Sequence, residues 1–356
     1  MMRNKIKQTV IFAVLILIFS VFPFSNFTNF QGNVLLAEDI SDDDQVETFI
    51  RPIGITYLNN YLYVTDNIDY TIRKINISTG VITIIAGECQ TSGGDDGKGR
   101  SARFYFPTGI TTDGKYLYVA DDTESSLRKI DITTNIVSTP EGDFKPTAIT
   151  YDGDNFYASQ GDSVCKINIS SGTSFIIAGN YSREGFADGK GDDARFNTPT
   201  FLVRNKKYLY VSDTLNHTIR QIDIDSGEVT TIAGKAGMEG FVDGKGHDAR
   251  FNQPSGIVTD GKNLYVADTE NHIIRKITIK TGEVSTIAGT PGVSGDDDGI
   301  GSTSKFNNPS GMATDGKNLY ISDSTNRLIR KLSLSNGEVI TVSGKRKHKR
   351  SSKLHQ

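Results

Sequence analysis

The sequence predicts an all-β chain, a six-bladed β-propeller of four-stranded blades, and three observations carry that reading. The composition favours strands and turns, with 36 Gly, 14 Tyr, 18 Phe and no Trp among many Val, Ile and Thr. Six prolines, Pro52, Pro107, Pro146, Pro199, Pro254 and Pro309, head six similar segments, spaced 55, 39, 53, 55 and 55 residues apart. Each segment reads as an apolar strand, a Gly-rich turn, an LYV-type strand, a loop, an IRKI-type strand, a tight turn and a V-T-I-A-G strand. Repeats of this length with four short strands suit propeller blades. A lone four-stranded sheet has two bare faces, and stacking sheets radially buries them.

The elements follow in order. Residues 1–37 read as a signal peptide or anchor: MMRNKIK is basic and VIFAVLILIFSVFPF is apolar, but that run is shorter than the roughly 20 residues of a membrane-spanning helix. The mature chain is expected outside the cytoplasm, starting near Glu38, with 38–49 as an acidic lead-in. The propeller covers 50–344, with blades at about 52–87, 107–142, 146–179, 199–234, 254–289 and 309–344. Residues 345–356, KRKHKRSSKLHQ, form a basic tail expected to be disordered. Twenty-eight residues after the leading proline stand Gly80, Asn135, Gly227, Gly282 and Gly337, with Gly172 in the shorter third repeat. Gly and Asn are the residues that a hairpin position with positive φ accepts most readily.

Charge narrows the function. The formal net charge is −3, but the three basic groups before residue 38 and the six Lys and Arg after 344 leave −12 on residues 38–344. Such a body repels polyanions, which argues against a nucleic-acid partner. Only the tail offers an anionic surface a weak contact. Cys89 and Cys165 are too few and too far apart for a disulfide framework or a zinc knuckle.

One acid and one base recur at fixed spacing. The pairs are Asp66 and Arg73, Asp121 and Arg128, Asp213 and Arg220, Asp268 and Arg275, and Asp323 and Arg330. The third repeat has Gln160 and Cys165 instead, so both partners vanish together. Groups that pair across a hairpin behave this way, because either charge left alone in a partly buried site is costly. Five equivalent pairs around a ring are expected to be architecture.

Strand parity places the loops between second and third strands on the same face as the linkers between blades. Those linkers are long: 95–106, 188–198, 243–253 and 296–308. Phe104, Phe196, Phe251 and Phe306 are expected to plug the gaps between blades, each preceded by Arg103, Arg195, Arg250 or Lys305. GDDDGIG at 295–301 resembles a calcium loop but lacks the Glu of an EF-hand, and neither a metal nor another cofactor is expected. His217 and His272 hold matching positions in adjacent blades, with Arg327 in the next. Together with Asn216, Asn271 and Asn326 they form the candidate binding face.

The stretch PSGIVTDGKNLYVADTENHIIRKITIKTGEVSTIAG, 254–289, resembles the NHL repeat, and the blades at 199–234 and 309–344 are nearly as close to it. The resemblance implies a propeller and leaves the function open, since such propellers include protein-binding and RNA-binding modules, sensor domains and, in related six-bladed forms, lyases and lactonases. The expected function is a non-enzymatic binding or scaffold module for protein or glycan, with no catalytic residue assigned. The alternative is a lyase or lactonase with a metal in the central channel, although the first strands, PIGIT, PTGIT, PTAIT, PTFLV, PSGIV and PSGMA, offer hydroxyls and few ligands.

Overall fold

A computed structural model describes residues 45–46, 48–121 and 126–344. The signal or anchor segment 1–37, most of the acidic lead-in and the basic tail 345–356 lie outside the described residues. Six antiparallel sheets follow one another along the chain, and the described residues form a six-bladed β-propeller. In each blade the first strand is innermost: Pro52–Leu58, Pro107–Thr112, Ala148–Tyr151, Pro199–Asn205, Pro254–Thr259 and Pro309–Thr314. Second, third and fourth strands then lie successively farther out.

The predicted blades have four strands, and five of the six sheets have gained a fifth. A two-residue strand lies outside the fourth strand at Gln45–Val46, Gly97–Lys98, Gly189–Lys190, Gly244–Lys245 and Gly299–Ile300. The last four come from the linkers, which run up the outer edge of the blade they precede before crossing to its inner strand. The first comes from the segment that precedes blade one, where Gln45 and Val46 pair with Thr83 and Ile82. Blade three remains four-stranded, since only residues 143–145 separate it from blade two.

The third-to-fourth hairpin explains one recurrent residue choice. Gly80, Asn135, Gly172, Gly227, Gly282 and Gly337 all have φ between 57° and 73°, a region where a side chain other than Asn meets steric cost.

Packing between blades uses one phenylalanine per joint. Phe104 lies between blades one and two, Phe196 between three and four, Phe251 between four and five and Phe306 between five and six. Two more complete the ring. Phe144 fills the joint of blades two and three, and Phe49 packs blade one against Ala313, Tyr320 and Ile329 of blade six. All six are at most 2 % exposed.

Near the axis a hydroxyl stitches each blade to the next. Thr65 Oγ1 donates to Thr108 O at 2.7 Å, Thr108 Oγ1 to Thr147 O at 2.7 Å and Ser159 Oγ to Thr200 O at 2.7 Å. Thr214 Oγ1 reaches Pro254 O at 2.8 Å, and Thr269 Oγ1 reaches Pro309 O at 2.8 Å. Ser324 Oγ closes the circle on Pro52 O at 2.5 Å. The inner strands approach so closely that a Cβ on Gly256 would stand 2.0 Å from Ser310 O. The absence of a side chain there lets the blades meet.

Removing one plug leaves a cavity that rigid sheets cannot collapse into. Phe251→Ala is expected to lower stability by about 3–5 kcal/mol, read as a shift in the urea midpoint at unchanged slope.

Candidate binding face

The recurrent acid and base lie together at the linker-bearing end of every blade but the third. Arg73 Nη2 is 3.1 Å from Asp66 Oδ2, and the matching distances are 3.4 Å for Arg128 and Asp121, 2.6 Å for Arg220 and Asp213, and 2.8 Å for both Arg275–Asp268 and Arg330–Asp323. These side chains are almost wholly buried. Burial pushes the carboxyls of Asp213, Asp268 and Asp323 up to about 6 against the pull of their arginines. The ion pair thus only partly offsets desolvation.

The pair exists to hold something else. In blade five, Asp268 Oδ1 accepts from Asn252 N at 2.7 Å, and Arg275 Nη1 donates to Arg250 O at 2.8 Å. Arg275 Nη2 donates to Val242 O at 2.9 Å and to Asp243 Oδ1 at 2.8 Å. The guanidinium sits 4.8 Å from the centre of the Phe251 ring, where cation and ring attract. One buried arginine therefore pins the linker at both ends of its crossing. Blade four repeats the set with Arg195, Ala187, Asp188 and Phe196, and blade six with Lys305, Asp297, Asp298 and Phe306. In blade one Arg73 uses Asp69 and Thr48 O, and its cation faces Phe49.

Sequence reading missed the linker acids Asp96, Asp188, Asp243 and Asp298. Each bonds a threonine 43 residues later, Thr139, Thr231, Thr286 or Thr341. The Asp-Gly dipeptide at that fixed distance from a fourth-strand Thr was the available signal. Blade three shows why its pair could go. With no long linker to hold, the arginine has no crossing to clamp. Cys165 Sγ instead donates to Gln160 Oε1 at 3.3 Å, and burial pushes the thiol up to about 12, so it stays neutral.

The candidate face residues are largely engaged in the same bracing. Asn216 and Asn271 are buried. Asn216 Nδ2 donates to Gly185 O and Asp213 Oδ2, both at 2.8 Å, and Asn271 Nδ2 to Gly240 O at 2.6 Å and Asp268 Oδ2 at 2.9 Å. Asn326 makes the equivalent bonds to Gly295 O and Asp323. His217 and His272 are half-buried with φ of 56° and 60°. Their Nδ1 atoms accept from Gln253 N at 3.1 Å and Asn308 N at 3.2 Å, tying each loop to the following linker. Arg327 is exposed.

Among its exposed charged side chains this face also carries large apolar ones. Tyr181, Phe186, Leu215, Met238, Phe241 and Val242 are between 44 % and 55 % exposed, on the linkers before blades four and five and the loop between them. A cavity of about 420 Å³ opens beside Phe241, Asp243, Thr286, Pro291 and Ser302. Among the described residues, no three His, Cys, Asp or Glu side chains gather as a metal site, and no helix is long and apolar enough to cross a membrane.

Two outcomes test the bracing. Arg275→Met strands a buried carboxylate and is expected to cost about 3–5 kcal/mol. Combining it with Asp268→Asn should cost less than the sum of the single changes by about 0.5–3 kcal/mol in a double-mutant cycle of urea melts. Burial holds the His217 imidazole below its ordinary pKa, so the unfolded chain takes up this proton first as pH falls. The stabilisation is present above the unfolded value and is lost as pH falls through it toward the lower folded value. His217→Asn should flatten the fall in Tm between about pH 7.5 and 5.

Comparison with known proteins agrees with this geometry. Residues 251–277 match the model of the NHL repeat. The chain is 28 % identical over 309 residues to human NHL repeat-containing protein 2, a match spanning 81 % of this chain and 39 % of that protein, so the chain covers well under half the length of this relative. An auxiliary nutrient binding protein from Bacteroides thetaiotaomicron superposes with a TM-score of 0.63 at 18 % identity, over 83 % of this chain and 70 % of that one. Virginiamycin B lyase from Staphylococcus aureus superposes at 0.50 with 16 % identity, over 83 % and 86 %. At such identities the two structures share the fold alone. The chain is thus a six-bladed β-propeller in which residues 251–277 match the NHL repeat, and its likeness to NHL repeat-containing protein 2 extends over most of its length.

Proposed function

We propose that this propeller is an exported, non-enzymatic binding module that takes a protein or glycan on its linker-bearing face. The observation that carries the reading is the row of exposed apolar side chains on braced linkers, beside a cavity with hydroxyl and carboxylate groups at its rim. Aromatic side chains held on a rigid frame give contact area with little entropy to lose. The nutrient-binding protein among the structural neighbours supports a ligand-binding role and a place outside the cytoplasm.

A channel enzyme suits these residues less well. Thr108 of an inner strand and Thr214 and Thr269 of the adjoining loops donate to carbonyl groups of the next blade, and the inner-strand hydroxyls of Thr200, Ser255 and Ser310 pair with hydroxyls of those loops, which leaves them poorly placed as ligands. The lyase neighbour shares the architecture, and that architecture supports many chemistries.

The test is capture of partners by the immobilised propeller from its native extracellular medium. Joint replacement of Met238, Phe241 and Val242 by Ser should reduce capture about tenfold or more at unchanged Tm. Undiminished capture would move the site off this face.

A further inference from the structure

Blade three differs from the other five at its outer edge. Elsewhere a two-residue strand covers the fourth strand, and an aspartate beside it bonds a threonine of that strand in blades four, five and six and the threonine just after it in blade two. The fourth strand of blade three, Thr173–Gly179, has no partner on its outer side among the described residues. Its side chains have changed to match. Ile176 stands where blades four and five have Thr231 and Thr286, and Phe175 where they have Thr230 and Ser285. The two are 61 % and 57 % exposed for Phe175 and Ile176 respectively.

A strand edge of this kind is a template for another strand. The five covered sheets show what fits geometrically, an antiparallel extended segment. The residues of blade three show what fits chemically, an apolar segment without the aspartate. We infer that the occupant is a second copy of the same strand, so that two propellers join edge to edge through blade three. Pairing antiparallel about a two-fold axis at Phe175 sets ring against ring on one face of the joined sheet. Ile176 then lies opposite the partner's Ser174, and the main chains bond across the seam. Charge permits this approach. Fourth strands in blades four, five and six begin with Glu228, Glu283 and Glu338, whereas Thr173–Gly179 carries no charged side chain, so nothing on the strand repels its copy. A patch of two large side chains per copy falls below the roughly 1,200 Å² of a firm complex, so the dimer is weak and concentration-dependent.

Sedimentation equilibrium of the whole chain from about 1 μM to about 1 mM spans the range in which small interfaces associate. The average mass should rise toward twice the monomer. Phe175→Ser with Ile176→Thr copies the equivalent residues of blade five, keeps the fold and should leave a monomer throughout at unchanged Tm. Amide exchange in residues 173–177 should slow as concentration rises in the native chain. A native chain that stays monomeric, or association that survives the double substitution, would overturn the inference. So would slow exchange at every concentration, which would mean that another part of the same chain covers the edge. None of these outcomes touches the linker face, whose capture assay is independent.

Discussion

A buried guanidinium is the constraint on which this propeller depends. A linker that leaves one sheet and enters the next must cross the end of a blade, and its backbone needs partners on the way. The arginine of the third strand supplies them. In blade five it bonds two carbonyl groups and one carboxylate of the linker, faces the Phe251 ring and is itself neutralised by Asp268. Aspartate and arginine form the fixed post, and the linker is the strap around it. This division of labour accounts for a costly buried charge recurring in five blades and disappearing from the one blade whose connection is three residues long.

The same bracing shapes the surface available for binding. Long loops usually trade precision for reach. Here the linkers are held by arginine, by asparagines that cap the aspartate, and by histidines that hold the next crossing. Their exposed aromatic and aliphatic tips therefore stand on an ordered frame. Polar residues that repeat from blade to blade serve the frame, and the side chains that vary, such as Leu215, Met238 and Phe241, face outward.

Much of the architecture was legible because it repeats. Prolines, turn glycines and the fourth-strand ends recur at spacings that only a strand-turn unit satisfies, so blade number and strand order could be read directly. The fifth strands were not legible, because two residues such as Gly244 and Lys245 carry no periodicity. Phe49 and Phe144 escaped notice because neither follows a basic residue as the other four plugs do. The histidines were harder still. A repeated imidazole on a loop reads equally as a ligand or as a strut, and the difference rests on one backbone amide 36 residues away. Asn216 and Asn271 look exposed in a polar loop, yet both turn inward because a buried carboxylate needs their donors.

The way the circle is completed carries a further consequence. Blades one and six share no strand among the described residues. They meet through Phe49, the Ser324–Pro52 bond and the bond from Ser343 to Gly80 O, whose partners stand 272 and 263 residues apart. Most other contacts join positions within a single repeat or between adjacent ones, so they recover quickly after a local opening, while this seam must bring distant parts of the chain back together. Under heat or mechanical load the ring has a built-in parting line there, and it should open like a clasp with the remaining sheets still stacked.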